Sequence, residues 1–185
     1  DALPTRMGRT LQTTTYRMPF PFEGGNVQAD GLGTCATTDR ALKNTGYSEL
    51  KVRNLLKKWA ACDDLLLLRD ITDDGTGHID MFFKWLDVDR VLVGKYDDTL
   101  QADMDGDGKA ETVTVPGKDD PDYAGTYAAN QKRMDDNAAF LAGRTAANGK
   151  PFQVFRLSMM TRFRNGQQNV PRTFINSTLA NGVNV

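Results

Sequence analysis

Residues 24–68 read GGNVQADGLGTCATTDRALKNTGYSELKVRNLLKKWAACDDLLLL, and the order of signals within them decides the fold. Two short alternating segments lie on either side of Asp30-Gly31, a favoured hairpin dipeptide, so 24–38 is read as two strands joined by a turn. Ser48 then offers an N-cap, and Val52, Leu55, Leu56 and Trp59 follow at i, i+3, i+4 and i+7, which predicts an amphipathic helix. The apolar run that opens DLLLLRDI predicts a buried strand. Hairpin, helix, strand is the expected unit.

Working outward, a glycine-rich acidic turn follows, and then HIDMFFKWL (78–86) and RVLVGKY (90–96), read as two strands joined through Asp87-Val88-Asp89. A second helix is expected between Pro121 and about Ala142, where Tyr127, Met134, Ala138 and Leu141 recur at steps of seven, four and three. The strand PFQVFRL (151–157) comes after it, and PRTFINSTLANGVNV (171–185) reads as strand, turn, strand with Asn181-Gly182 as the hairpin signal. Upstream, TTTYRMPFPF (13–22) reads as an extended edge segment, since its two prolines exclude a central strand. Strand groups that alternate with helices predict an α/β fold, and the similar order of the two halves predicts a repeated unit.

The chain has 185 residues, about the size of one domain, with 23 basic and 24 acidic residues and a net charge of −1. No field of one sign is expected, so neither nucleic acid nor a membrane surface is an expected partner. The chain opens at Asp1 without a methionine and closes on NGVNV inside a strand-like pattern, so both ends read as cut. Cys35 and Cys62 have no metal or redox spacing. The favoured reading for each is a buried structural thiol, because free cysteine packs like a small hydrophobe, with a nucleophile or a bridge as the alternatives.

The only histidine stands in GTGHIDMFF (75–83). A solitary histidine is usually a satisfied core or surface residue. In an extended segment, however, His78 and Asp80 would point to the same face and set an imidazole beside a carboxylate. Arg162, Arg164 and Arg172 form a loose basic cluster, read as a solvated face.

A second constellation is DMDGDGKAE (103–111). Acidic residues at relative positions one, three, five and nine, with Gly108 at six, match a Ca²⁺ loop through nine positions, although Thr114 replaces the bidentate Glu at twelve. Asp103, Asp105, Asp107, the carbonyl of Lys109 and Glu111 are the expected ligands of one structural calcium ion. Millimolar calcium is an extracellular condition, so the loop favours a secreted or periplasmic protein. A solvated acidic turn is the plainer alternative.

The segments DALPTRMGRTLQTTTYRMPFPFEGGNVQADGLGTCATT (1–38), GTGHIDMFFKWLDVDRVLV (75–93) and TFINSTLANGV (173–183) resemble the bacterial agmatine deiminase and Porphyromonas-type peptidylarginine deiminase family. The likeness covers most of the chain, and the polar stretch from about 97 to 120 is the main part the family pattern does not explain. The resemblance implies a pentein or α/β-propeller fold of five ββαβ-type units, of which this chain would be a central fragment and a single incomplete catalytic domain. It also implies hydrolysis of a guanidine (peptidylarginine, arginine or agmatine) to a ureido group through a covalent cysteine intermediate, with no cofactor for catalysis.

Carried over by motif, His78 takes the place of the general acid/base and Asp80 that of the guanidinium-gripping carboxylate. Glu23, Gly24, Gly25 and Asn26 match the glycine-rich entry to the substrate, and Asn176 matches a late-strand asparagine near it. The family's nucleophile lies in a glycine-rich His-Cys segment, which neither Cys35 nor Cys62 matches, and its upstream Arg-Asp aspartate is also not matched. The expectation is a chain inactive alone, with the rest of the catalytic domain as its partner. A calcium-stabilised module without turnover is the alternative.

Overall fold

A computed structural model describes residues 3–72, 75–97, 99–103, 105–114, 120–159, 163–165, 168–170, 173, 175–176, 179–180 and 183–184. Two ββαβ units follow one another in the chain. In the first, β1 (Val27–Ala29) pairs antiparallel with β2 (Thr34–Thr38), and β3 (Asp64–Leu68) lies parallel to β2, giving the order β1-β2-β3. The crossover between β2 and β3 holds α2 (Arg40–Thr45) and α3 (Glu49–Ala60). In the second, β4 (Phe83–Asp87) pairs antiparallel with β5 (Arg90–Tyr96), and β8 (Gln153–Met159) returns parallel to β5 after α4 (Ala124–Ala142). An extra hairpin of β6 (Thr99–Ala102) and β7 (Glu111–Thr114) is inserted before α4. The repeat expected from the sequence is therefore present twice; the copies differ in the β6–β7 hairpin and in their crossovers, two helices in the first and one in the second.

Local chemistry accounts for these elements. The Asp30 carboxylate accepts hydrogen bonds from Leu32 N (2.7 Å) and Thr34 N (2.9 Å), and so closes the β1–β2 turn. Ser48 caps α3, its hydroxyl accepting from Lys51 N at 3.3 Å. Val52 and Leu56 are buried as expected, but Trp59 is partly exposed. The continuous apolar run of β3 is explained by burial on both faces. Leu65 packs with Cys35, Val52 and Leu56 under α3, whereas Leu66 and Leu68 join a larger core with Phe83, Trp85 and the apolar face of α4.

The structure corrects several expectations. Residues 13–22 form no strand, and the preceding α1 (Leu3–Thr10) was not foreseen. Cys35 and Cys62 are joined in a disulfide between β2 and the end of the α3 crossover. The apolar neighbourhood expected for each thiol is real, but parallel pairing of β2 with β3 brings the two sulfurs together, which spacing along the chain does not reveal. In the C-terminal part, β9 (Phe163–Asn165) pairs with β10 (Gln168–Val170), and β11 (Leu179–Ala180) pairs with β12 (Val183–Asn184) around Asn181-Gly182. That dipeptide, Arg162 and Arg172 lie outside the described residues, as does the side chain of Arg164. No described helix is long and apolar enough to cross a membrane.

Candidate active site

His78 and Asp80 do not lie on a strand. His78 is extended (φ −69°, ψ 142°), but Ile79–Met81 form a single 3₁₀ turn before β4 begins at Phe83. Buried Ile79 anchors this turn in the core. The two side chains still come to the same place, by a different route from strand alternation. Both lie over Gly25, in a 3₁₀ turn of residues Gly24–Asn26 at the entry to β1. A Cβ on Gly25 would fall 2.6 Å from Nδ1 of His78 and 2.7 Å from Oδ2 of Asp80. Only a residue without a side chain lets the backbone come so close.

Glu23 closes the other side. Its carboxylate bonds to Nε2 of His78, with the imidazole 22% exposed and the carboxylate side chain 60% exposed. While Glu23 is ionised, Nε2 carries the proton that it donates, and Nδ1 is the nitrogen turned towards Gly25 and Asp80. The grouping thus holds an imidazole between two carboxylates, open to solvent on the Glu23 side.

Asn26 is buried and acts on the backbone. Its side-chain oxygen accepts from Thr38 Oγ1 (2.9 Å) and from Ile79 N (3.2 Å), and its carbonyl accepts from Thr37 Oγ1 (2.6 Å). Thr38 Oγ1 also reaches the carbonyl of Gly77 at 2.8 Å. Asn26 therefore ties β1, β2 and the His78 segment together through its carbonyl and its Oδ1. Gly24 stands in the same 3₁₀ turn with open space around it. A cavity of about 430 Å³ beside the grouping is lined by Phe22, Glu23, Asn26, Asn44 and Thr45 among others. Asn176 is exposed next to Ile175, which belongs to the larger core, and its part in the site rests on the resemblance alone.

Sequence reasoning missed the residues that hold this segment. Asn130, Arg133 and Asn137 stand along α4, two of them buried within the apolar pattern of Tyr127, Met134 and Leu141. Asn137 pairs with both backbone groups of Arg69 (2.8 and 2.9 Å), Asn130 accepts from Thr72 N (3.0 Å), and Arg133 donates to the carbonyl of Asp70 (2.8 Å). Asparagines at i and i+7 on an apolar stripe were the available signal, because buried amides need partners. Lys84, also missed, is buried on β4. Burial pushes its ammonium below the ordinary lysine range, and the nearby Asp80 carboxylate opposes that shift.

The calcium-loop candidates form a separate grouping on the inserted hairpin. Ligand oxygens of Asp103, Asp105, Asp107 and Glu111 lie within 4.8 Å of one another, and all four residues are exposed. Asp103 accepts from Gly106 N (2.6 Å) and Gly108 N (2.9 Å), which curls the loop, and the Lys109 ammonium pairs with Asp107 at 3.0 Å.

A set of known proteins shares this architecture. The agmatine deiminase of Stutzerimonas stutzeri is 27% identical over 150 residues, which are 67% of this chain and 41% of that protein. Among solved structures, the C. jejuni agmatine deiminase superposes with a TM-score of 0.68 at 16% identity, covering 97% of this chain and 46% of its own. A substrate-bound form of the C. jejuni enzyme gives a TM-score of 0.68 at 15% identity, with 97% and 46% covered. These structural likenesses establish the fold, and the chain spans less than half the length of the relatives it matches. The model of the Porphyromonas-type peptidyl-arginine deiminase family matches residues 1–185, and the chain belongs to that family.

Proposed function

We propose that this chain carries the proton-transfer and guanidinium-holding part of a guanidine deiminase, a hydrolase that converts a guanidine to a ureido group with release of ammonia. The observation that carries the reading is the convergence of Glu23, His78 and Asp80 around Gly25. A guanidinium is planar, delocalised and permanently cationic, so a carboxylate in its plane holds it by charge-assisted hydrogen bonds. Asp80 is assigned that role.

In the reaction a thiolate adds to the guanidinium carbon. His78 gives a proton to the departing nitrogen, which leaves as ammonia and yields a thiouronium adduct. The neutral imidazole then takes a proton from water as the oxygen adds to the same carbon, and collapse returns the thiolate and releases the ureido product. Glu23 at Nε2 fixes the ring and offsets its charge while it is imidazolium. The thiolate must come from another part of the protein, since Cys35 and Cys62 are bonded to each other. The closed five-unit propeller belongs to the same reading, with the further units supplied by the remainder of the catalytic domain.

The agmatine deiminase relatives support a small guanidine as the substrate class, and the peptidyl-arginine deiminase family model supports an arginine side chain. The test is ureido formation by the full-length protein from agmatine, arginine and peptidylarginine, with His78→Ala as the control. Undiminished turnover in that variant removes His78 from the mechanism.

We also propose that the loop from Asp103 to Glu111 binds calcium in a structural role, supported by the convergence of four carboxylates within 4.8 Å. Its bearing on catalysis is indirect, through the order of the inserted hairpin.

A further inference from the structure

The described residues between β3 and His78 gather around one buried carboxylate. Asp70, whose side chain is 3% exposed, receives Lys43 Nζ (3.1 Å) and Arg133 Nη1 (3.2 Å) on Oδ1 and faces Arg40 Nη1 (3.8 Å) through Oδ2. Its own N–H donates to Asp39 Oδ1 at 3.0 Å. Three cations and a second carboxylate thus meet at one residue, drawn from α2 in the first unit and α4 in the second. Only the carboxylate is buried: the side chains of Lys43, Arg40 and Arg133 are 53%, 31% and 30% exposed, so each pair is partly screened and adds little to stability on its own.

The network reaches the site through Arg40. The other guanidinium nitrogen of Arg40 donates to the carbonyl of Gly75 in a short contact. At Gly77 (φ +67°) an added Cβ would lie 3.0 Å from Asp70 Oδ2 and 3.2 Å from Arg40 Cγ, so the turn is seated directly on the pair. Gly77 immediately precedes His78, and its carbonyl is held by Thr38.

We propose that Arg40, oriented by Asp70, is a positioning residue that sets the Gly75–Gly77 turn and thereby the place of the His78 imidazole between Glu23 and Asp80. This rests on the deiminase reading for its catalytic consequence but not for its structural one. Arg40 suits the task because a planar guanidinium presents donors in two directions at once, to a carboxylate and to a carbonyl, which a single ammonium does not. Lys43 is the natural control, since it contacts the same carboxylate but not the turn.

The experiment compares Arg40→Met with Lys43→Met in two readouts. In the full-length protein, Arg40→Met is expected to lower kcat by about 10²-fold, the scale of a misplacement near 1 Å, with KM little changed. Lys43→Met should leave kcat near wild type. In the isotopically labelled full-length protein, with the His78 ring signals assigned as those lost in His78→Gln, Arg40→Met should displace those signals and Lys43→Met should not. Should Arg40→Met fail to fold, Arg40→Lys keeps the charge beside Asp70, loses the second donor direction and carries the same expectation. A folded Arg40 variant with unchanged ring signals overturns the proposal. If the wild-type protein deaminates no guanidine, the deiminase reading fails, and the ring signals still decide whether Arg40 positions His78.

Discussion

Gly25 sits beneath His78 so closely that a single methyl group on its Cα would fall 2.6 Å from Nδ1 of the imidazole. The same methyl would fall 2.7 Å from Oδ2 of Asp80, so both side chains would have to shift to admit it. Gly25→Ala is therefore a direct probe of the grouping. Overpacking of this kind costs on the order of 1–3 kcal/mol in stability. The functional cost is expected to be larger, because displacement near 1 Å in a reacting group lowers rates by about 10²-fold. Gly24→Ala, where a Cβ meets only open space, should leave turnover near wild type. Equal activity in the two variants would show that the backbone approach at Gly25 has no part in catalysis.

The Cys35–Cys62 bridge closes a loop across 27 positions and spans the α3 crossover. Chain-entropy reasoning gives about 3.5 kcal/mol for a loop of that size. Cys35→Ala combined with Cys62→Ala should lower the unfolding free energy by about that amount, measured in urea without reductant. Adding reductant should lower wild type towards the double variant and leave the variant unmoved. Mass measurement after alkylation of unreduced protein should show no free thiol; two modified cysteines would remove the bridge from the native state.

Much of the architecture was legible because each element announces itself locally. Asp30-Gly31, Ser48 and the 3.6-residue spacing of Val52 and Leu56 needed no tertiary knowledge. What was not legible depended on partners distant in sequence. Pairing of β2 with β3 made a disulfide of two residues that read as separate thiols. His78 and Asp80 are brought together by a 3₁₀ turn over Gly25 rather than by strand alternation, so their meeting has a different geometric cause from the one expected. The framework part of Asn26 was not legible either, since its Oδ1 bonds to Thr38 and to Ile79 N, which lie 12 and 53 positions away. The Asp70 network left no sequence signal at all, since its members lie on α2, α4 and the loop after β3.

Calcium should act on the inserted hairpin. If the carboxylates of Asp103, Asp105, Asp107 and Glu111 share one ion, calcium at about a hundred times its dissociation constant adds about 2.7 kcal/mol to the stability of whatever unfolds with the loop. Calorimetric titration of wild type against Asp105→Ala measures this. The expected result is saturable heat and a raised melting temperature in wild type alone. A melting temperature indifferent to calcium in both proteins would leave an acidic turn held by its own Asp103 hydrogen bonds to Gly106 and Gly108.

Lys84 provides a test that depends on pH. It lies on β4, alternating with Phe83 and Trp85, and is 8% exposed. Burial lowers its affinity for a proton in the folded state, and the Asp80 carboxylate only partly restores it. The unfolded chain holds that proton up to the ordinary lysine value of 10.5, so between the lowered folded value and 10.5 the unfolded state binds more protons. Stability contributed by this site therefore rises with pH across that interval, and the cost of the buried charge is fully present below it. Lys84→Met keeps the length of the side chain and removes the titration. The difference in unfolding free energy between variant and wild type should favour the variant most below the folded value and shrink as pH approaches 10.5. Lys43, whose proton is held more tightly in the folded state through Asp39 and Asp70 despite opposing burial, contributes equally to both proteins and cancels in the difference. A pH-independent difference would mean that Lys84 does not titrate as a buried ammonium and that its charge has no hold on Asp80.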